Sequence, residues 1–219
     1  IATTTGTLTK SGTGAWTLSG ANAYTGATTV NAGTLRAGIV SVANTSGAFG
    51  NNSAVTMANI SGAILDLAGY NTQIGSLTGG GGTGGNVTLG SGTLTVGGDN
   101  TSPGAYAGVI SGTGALTKIG TGTLTVTGAN TYTGITTVSA GTLSFNTIAS
   151  VSGGASSLGA PTTVPNGTIA LGAATLLYTG TGHTSDRVIN LTGSGTVNAS
   201  GGGTLTLTGG ITGTAQNLT

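Results

Sequence analysis

The sequence predicts an all-β protein built as a parallel β-solenoid of roughly 9 to 11 turns, with no significant helix. Three observations lead to this fold class. Apolar residues alternate with Thr or Ser in short bursts, Gly and Asn separate the bursts, and one long block of sequence occurs twice. No segment carries apolar residues at helical spacing without interruption by Gly.

The short bursts have the pattern of strands with one buried face. Thr28–Val30 and Ile64–Leu67 are examples in which every second residue is apolar. Strands of this length gain stability when each pairs with an equivalent strand one turn away, at about 4.8 Å, in turns of about 20 to 25 residues. The apolar positions predicted to stack in the core are Leu8, Leu18, Val30, Leu35, Leu65, Leu94, Leu116, Val126, Val138, Leu143, Ile169, Leu176 and Leu205.

An internal repeat divides the chain into two units. Residues 6–38 and 114–146 align without a gap and are identical at 21 of 33 positions. The spacing of the two blocks predicts a first solenoid unit over 1–113 and a second over 114–219, joined as one continuous rod. The end of the chain, GITGTAQNLT, is similar to 109–117 and suggests the start of a third copy.

Composition excludes most charge-dependent functions. The 219 residues include 46 Gly and 47 Thr but only four Lys or Arg, three Asp, one His and no Glu or Cys. Sites of paired carboxylates, metal clusters or thiol nucleophiles therefore have almost no residues available. A net charge of +1 argues against electrostatic binding of nucleic acid. We expect no catalytic residue, no metal, no cofactor and no membrane span in this chain.

The repeated block resembles the autotransporter-associated β-strand repeat. Its first copy carries the pattern at Leu8, Lys10, Gly12, Gly14, Leu18, Gly20, Asn22, Tyr24, Gly26, Thr28, Val30, Gly33 and Leu35. The second copy carries every one of these positions again, from Leu116 to Leu143, with Val126 in place of Leu. The resemblance implies a right-handed parallel β-helix in the passenger part of a large secreted or surface-displayed bacterial protein.

The polar and glycine positions shared by the two blocks predict structural roles. Lys10 and Lys118 are expected to cap carbonyl groups at a corner or to bond to a neighbouring chain. Asn22, Tyr24 and Gly26, with Asn130, Tyr132 and Gly134 in the second block, are expected to close a turn through packing and side-chain hydrogen bonds. An alternative is that the tyrosine rings are exposed and stack on sugars.

His183 lies close to Asp186 and Arg187, where three ionisable groups meet in the sequence. One interpretation is an acid/base pair of His183 and Asp186. The other is a corner with an exposed histidine and a local pair between Asp186 and Arg187. Nine Asn-x-Ser/Thr sequences are also candidate glycan sites: Asn44, Asn51, Asn59, Asn86, Asn100, Asn166, Asn190, Asn198 and Asn217.

These features favour a structural and interaction protein at the outer surface of a bacterial cell. The leading hypothesis is a β-solenoid stalk or extracellular filament used in adhesion or biofilm cohesion. It includes self-association into fibres or a longer array, and contact with glycans or a host or neighbouring cell surface. A second hypothesis is ice binding, which requires the recurring Thr-x-Thr sequences to lie on one face. A third is a polysaccharide-active β-helix enzyme, for which the acidic residues are few.

Overall fold

The computed structural model describes residues 5–213 and 217–219. It is a stack of parallel strands that makes about nine turns, which confirms the predicted all-β solenoid. One helix, α1 (Val164–Gly167), has only four residues. The strands are β1 (Leu8–Lys10), β2 (Ala15–Leu18), β3 (Thr28–Val30), β4 (Thr34–Ala37), β5 (Val55–Met57), β6 (Ile64–Asp66), β7 (Thr72–Ile74), β8 (Leu77–Gly79), β9 (Asn86–Thr88), β10 (Leu94–Val96), β11 (Ile110–Ser111), β12 (Leu116–Lys118), β13 (Thr123–Val126), β14 (Thr136–Phe145), β15 (Ile169–Tyr178), β16 (His183–Ser185), β17 (Ile189–Leu191), β18 (Thr196–Ala199), β19 (Leu205–Leu207) and β20 (Ile211–Thr212).

Each complete turn contributes to three faces of the rod. The first face begins with β1, β3, β5 and β8, and single bridges through Tyr106 connect it to β13 and the second half of β14. The second face contains β2, β4, β6, β9 and β11, and β16 and β19 take this position in later turns. The third face contains β7, β10, β12, the first halves of β14 and β15, β17 and β20. Because each strand pairs in parallel with the equivalent strand of the next turn, a given strand position lies on the same face in successive turns.

The interior consists of apolar side chains stacked in register. Leu124, Leu143 and Leu176 are paired across successive turns, and each is buried. Of the predicted core positions, Leu18 and Leu205 are only partly buried, and the rest are buried. Burial of one apolar residue per strand position supplies the hydrophobic stabilisation that single three-residue strands lack.

The sequence repeat and the solenoid turn do not coincide. Leu8 of the first block lies on the first face, whereas its counterpart Leu116 lies on the third. Between them the chain completes four turns and passes two of the three strand positions of a fifth. Local pairing is nevertheless the same, because Leu8 pairs with Thr28 and Leu116 with Thr136. The block therefore specifies two stacked turns, and not the side of the rod on which they begin.

Two loops make some turns longer than predicted. Val126 pairs with Phe145 and Phe145 with Tyr178, yet the second of these steps contains far more chain than the first. The extra residues are 146–168. This segment lies between β14 and β15, outside the stacked strands, and contains α1. A shorter loop, 38–54, occupies the end of the second turn. We call these the long loop (146–168) and the short loop (38–54).

Three consecutive residues hold the long loop against the rod. The Oγ atom of Ser185 donates to the carbonyl of Ala149 at 3.0 Å. The backbone N–H of Val151 donates to the carboxylate of Asp186 at 2.7 Å. Arg187 completes the set with two hydrogen bonds to backbone carbonyls. All of these contacts join residues 185–187 to the long loop, which precedes them in the chain.

Arg187 is fully buried under the long loop. Its Nε atom donates to the carbonyl of Gly167 and its Nη1 atom to the carbonyl of Leu158, both at 2.6 Å. Burial lowers the pKa of Arg187, while Tyr132 and Asp186 act in the opposite direction. The guanidinium group therefore joins the middle of the long loop, at Leu158, to its end, at Gly167.

One ion pair joins two successive turns of the second face, and a hydrogen bond extends it to a third. Arg36 Nε lies 2.6 Å from Asp66 Oδ2, and this is the only salt bridge among residues 5–213 and 217–219. The other carboxylate oxygen accepts from Thr88 Oγ1 at 2.9 Å and from Ala68 N at 2.8 Å. Burial acts to raise the pKa of Asp66, but the hydrogen bonds from Arg36, Ala68 and Thr88 outweigh it, so the pKa is lowered.

In the part of the chain that the structure describes, no helix has the length and apolar character needed to cross a membrane.

We predict that Arg187→Met opens the long loop locally. Loss of the guanidinium leaves two buried carbonyls without donors, which favours exposure of the loop to water. Amide hydrogen exchange at residues 150–167 should increase at least about tenfold, while exchange in β14 and β15 stays close to wild type. Arg36→Met, which alters a half-exposed arginine far from this loop, is the matched control. Unchanged exchange in the Arg187 variant would contradict the proposed anchoring.

We predict that Asp66 makes stability depend on acid pH. Because the folded pKa lies below the unfolded value of about 4, the carboxylate stabilises the fold at neutral pH, and this contribution is lost as pH falls through the folded pKa. Asp66→Asn should cost about 1 kcal/mol at pH 7, and this cost should decrease as pH falls below about 4. Urea unfolding from pH 7 to pH 2 measures the difference. Thr88→Val should keep part of the dependence; a constant difference between wild type and Asp66→Asn would contradict the prediction.

Candidate functional site

The lysine of the first block is buried in a cradle of backbone carbonyls. Only 1% of Lys10 is exposed. Its ammonium group donates to the carbonyls of Ser11 at 3.0 Å, Gly12 at 2.6 Å and Ala32 at 2.9 Å. All three N–H groups are therefore satisfied, and the lysine ties one corner to the next turn. The same ammonium lies 5.7 Å from the ring centroid of Trp16.

The second block repeats this cradle on another face of the rod. Lys118, also 1% exposed, donates to the carbonyls of Ile119, Gly120 and Ala140. Burial lowers the pKa of Lys118, and the nearby Asp99 acts to raise it. The acceptors are again two carbonyls of the lysine's own corner and one from the following turn. The arrangement is a property of the block and does not depend on its side of the rod.

A glycine of the next turn lies directly against each cradle. Gly33 has a φ of 65°, and a Cβ atom there would collide with the carbonyl oxygens of Gly12 and Gly14 and lie 2.7 Å from Lys10 Nζ. Gly141 has a φ of 67° and meets the equivalent atoms in the second block. Side chains other than hydrogen are therefore excluded on two grounds, backbone conformation and space. This explains why both blocks carry a glycine at this position.

The asparagine and tyrosine of the first block fasten the short loop. Asn22 Nδ2 donates to the carbonyl of Ala48 at 2.8 Å. The hydroxyl of Tyr24 lies 2.8 Å from Thr28 Oγ1, which in turn lies 2.9 Å from Ser53 Oγ. Tyr24 is fully buried, and burial raises its pKa. Its ring packs in the core while its hydroxyl begins a short chain of hydrogen bonds.

The second block fastens the long loop in the same way. Asn130 Nδ2 donates to the carbonyl of Ser157 at 2.7 Å, and Asn130 Oδ1 accepts from Ile110 N at 2.7 Å. Tyr132, fully buried, places its hydroxyl 2.8 Å from Thr136 Oγ1, and burial raises its pKa. The alternative of exposed tyrosines that stack on sugars is wrong for both blocks, since neither ring reaches solvent.

Gly26 and Gly134 lie where two turns approach closely. A Cβ atom on Gly26 would collide with the carbonyl of Gly6, and one on Gly134 with the carbonyl of Gly114. The N–H of Gly134 donates to that same carbonyl at 3.1 Å. A hydrogen-bonded backbone contact of this kind leaves no space for a side chain.

The three ionisable residues near position 185 have separate hydrogen-bond partners. His183 Nδ1 lies 2.7 Å from the hydroxyl of Tyr178, whereas Asp186 accepts from Val151. The predicted local pair of Asp186 and Arg187 is also wrong, because the backbone turns Arg187 into the interior, where it meets carbonyls. Among the described residues there is no group of three or more His, Cys, Asp or Glu side chains that could hold a metal ion.

Two buried side chains with structural roles were missed at the level of sequence. Arg187 carries the long loop, and Tyr106 donates to the carbonyl of Gly85 at 2.8 Å from a fully buried position. Neither belongs to the repeated block. The one signal available was the rarity of bulky and charged residues in this chain, and it does not distinguish these two from Trp16, Arg36 and Tyr70, which are exposed.

The Thr-x-Thr sequences are spread over all three faces. Thr9 belongs to the first face, Thr95 to the third, and Thr206 to the strand pair of the second position. Outward threonines do align over short distances, as Thr123, Thr142, Thr175 and Thr196 do across four turns. The requirement of the ice-binding hypothesis for one common face is not met.

We predict that Gly33→Ala destabilises the solenoid strongly. The added methyl group meets two carbonyls and an ammonium group at a left-handed φ, which should cost more than about 2 kcal/mol in urea unfolding. Gly14→Ala is a matched control in the same corner, because a Cβ there has no atom within 4 Å and φ is not positive. The control should lie within about 0.5 kcal/mol of wild type. Equal effects of the two variants would contradict the steric explanation.

Comparison with known proteins finds the repeated block in a described family. A family model named passenger-associated-transport-repeat matches residues 8–37 and 116–145. These two segments contain the cradles, the asparagines and tyrosines, and the close glycines. No solved structure matches the chain.

One curated relative is similar over a longer part of the sequence. The Adhesin BmaC autotransporter of Brucella suis biovar 1 (strain 1330) is 43% identical over 140 residues. These residues are 64% of this chain and 4% of that protein, so the chain spans a small part of its relative. Taken with the geometry of the two blocks, the family match identifies residues 8–37 and 116–145 as two passenger-associated-transport-repeats.

Proposed function

We propose that this chain is a segment of a bacterial surface adhesin of the autotransporter type, displayed outside the cell as part of a rigid β-solenoid stalk. The observation that carries the proposal is the repeat itself. Both blocks match the passenger repeat and build the same lysine cradle within one uninterrupted parallel stack. The relative with 43% identity, which is named an adhesin, supports the same role.

The geometry supports a mechanical role for the segment. Backbone hydrogen bonds between turns run along the rod, and each buried lysine adds bonds between successive turns. Such a stack resists bending and separates the structures at its two ends by about 4.8 Å per turn. A stalk of this kind holds binding surfaces away from the cell, and the loops offer places for contact.

A non-enzymatic role fits the distribution of reactive groups. In the described part of the chain, His183 and Asp186 have separate partners, and no cluster of acidic residues lines a groove. Polysaccharide cleavage needs an acid and a base on opposite sides of the scissile bond. The enzyme hypothesis therefore has no supporting observation.

Self-association into fibres that hold a biofilm together is a second version of the proposal. The low charge of the chain favours this version, since seven charged side chains in 219 residues give little repulsion between copies. Sedimentation of the purified chain separates the two versions. Large, concentration-dependent species support fibres, whereas a monomer at about 100 μM contradicts them and leaves the stalk.

The surface location and the adhesive role are tested together in cells. Antibodies raised against the purified chain should label intact cells, and external protease should remove the label. An in-frame deletion of residues 6–146 from the parent protein should lower attachment of the cells, with the amount of surface label from the remaining part as the control. Labelling that requires permeabilised cells contradicts the location. Normal attachment after the deletion contradicts the adhesive role.

A further inference from the structure

Both blocks are followed by a loop at the same strand position. Each block makes two turns in which chain outside the strands takes the third position. In the first of these turns, the position is taken by a stretch of nine residues that carries the asparagine and the tyrosine, 19–27 in one block and 127–135 in the other. We call these the anchor stretches. In the second turn, the short loop or the long loop takes the same position, so each loop lies one turn after the anchor stretch of its own block.

The short loop is bonded to its anchor stretch through two residues of that stretch. Asn22 and Gly47 exchange two backbone hydrogen bonds, both at 3.0 Å, in an antiparallel bridge. Asn22 Nδ2 also donates to the carbonyl of Ala48 at 2.8 Å. The N–H of Asn51 donates to the carbonyl of Tyr24 at 2.8 Å. Four hydrogen bonds therefore hold one short segment of the loop.

The long loop makes the same four hydrogen bonds. Asn130 and Ser156 exchange backbone hydrogen bonds at 2.9 and 3.2 Å, again in an antiparallel bridge. Asn130 Nδ2 donates to the carbonyl of Ser157 at 2.7 Å. The N–H of Ala160 donates to the carbonyl of Tyr132 at 2.8 Å. The asparagine and the tyrosine thus use the same atoms in both blocks, although the loops that they hold differ in sequence and length.

The two bonded segments, 47–51 and 156–160, are also packed alike, and we call them the clasps. In each clasp the first four residues are buried. The apolar side chain at the centre, Phe49 or Leu158, is fully buried in the core of the rod. Each clasp therefore adds an apolar contact to its hydrogen bonds.

A glycine follows the central apolar residue in both clasps. Gly50 has a φ of 88° and Gly159 a φ of 80°. A Cβ atom on Gly50 would collide with the carbonyl oxygen of Tyr24, and one on Gly159 with that of Tyr132. The same carbonyl accepts the last hydrogen bond of the clasp. Both clasps therefore require glycine here, because of the backbone conformation and because of the space.

The direction of the clasps explains why each needs a loop. The strands of the stack pair in parallel, whereas each clasp is antiparallel to its anchor stretch. The chain must therefore reverse its direction before the clasp and again after it. The first reversal is a hydrogen-bonded turn at Asn44 in the short loop and at Ser152 in the long loop, where φ is 56° and 61°. Both turns lie among exposed residues, 42–45 and 152–155.

The parts of the loops outside the clasps differ between the two blocks. Gln73 of the next turn bonds to the amides of Asn44 and Asn52 in the short loop, whereas residues 185–187 hold the long loop. The return to the stack takes three residues in the short loop and eight in the long loop. We call these parts the outer segments: 38–46 and 52–54 in the short loop, and 146–155 and 161–168 in the long loop.

We propose that each block is a loop-display module, in which the anchor stretch holds a clasp and the clasp presents outer segments of unrelated sequence. Asn22 and Asn130 are the positioning residues. The starting face of the block sets the side of display, so the short loop takes the third-face position and the long loop the second-face position. The inference goes beyond the proposed adhesin function, because it assigns to the block a task that does not depend on what the displayed loops contact.

A chimera in which the sequence of 146–168 replaces 38–54 tests the proposal. The first block then offers Asn22 and Tyr24 to a clasp that no longer has residues 185–187 beside it. If the block itself holds the loop, the transplanted amides of Ser156 and Ala160 should exchange hydrogen within about tenfold of their rates at the native site. Site-resolved exchange by NMR measures both copies in one sample. The transplanted outer segments, which have lost their native partners, should exchange faster than the native ones.

The chimera with Asn22→Ala is the matched control. Loss of the side-chain donor should increase exchange of the transplanted clasp at least about tenfold. If the chimera does not fold, a variant in which 47–51 and 156–160 exchange sequences decides the question, and both of its clasps should keep their rates within about tenfold.

The proposal is overturned if the transplanted clasp exchanges freely while β5 and β6 stay protected, or if Asn22→Ala leaves its exchange unchanged. Loss of protection at either clasp in the five-residue exchange overturns it as well. Surface labelling and attachment of cells do not depend on these rates, so a failure here leaves the adhesin proposal intact.

Discussion

The constraint on which this structure depends is the parallel backbone ladder, which requires each turn to lie directly over the previous one. With few charges and no disulfide, the ladder and the stacked apolar interior hold the rod together. Turns can stack at this spacing only where no side chain lies between the backbones of neighbouring corners. Gly33 and Gly134 show the result, since a side chain at either would push a carbonyl of the neighbouring turn out of register.

The same constraint explains where the cations lie. Three of the four, Lys10, Lys118 and Arg187, are buried against backbone carbonyls, and only Arg36 is paired with a carboxylate. A corner turns peptide groups out of the ladder, and their carbonyls need donors that the ladder does not supply. One ammonium group satisfies three of them. Most of the few cations in this chain therefore donate hydrogen bonds to backbone carbonyls in the interior, and the outer surface carries little charge.

Much of the fold could be predicted because it depends on patterns among residues that are close together in the sequence. Alternation in bursts of three to five residues gives strands, and the spacing of Leu8, Lys10 and Tyr24 identifies the repeat. The partners of these residues were not predictable, because Ala48 and Ser157 lie 26 and 27 residues beyond the asparagines that bind them. Arg187 shows the opposite error. Its neighbour Asp186 suggested a pair, but adjacent residues of an extended backbone point to opposite sides.

The sequence by itself determined the class of fold, the repeated pair of turns and the identity of the side chains that close each pair. Only the tertiary structure decided on which face each pair begins and which distant residues meet. The physical reason is that a turn has three strand positions, while the loops between them differ in length. The chain between the two block starts passes four turns and two of the three strand positions of a fifth, which is not a whole number of turns, so the first block begins on the first face and the second on the third. The clasps exist only because the stacking of two turns brings each loop back over the asparagine of its own block, Asn22 or Asn130.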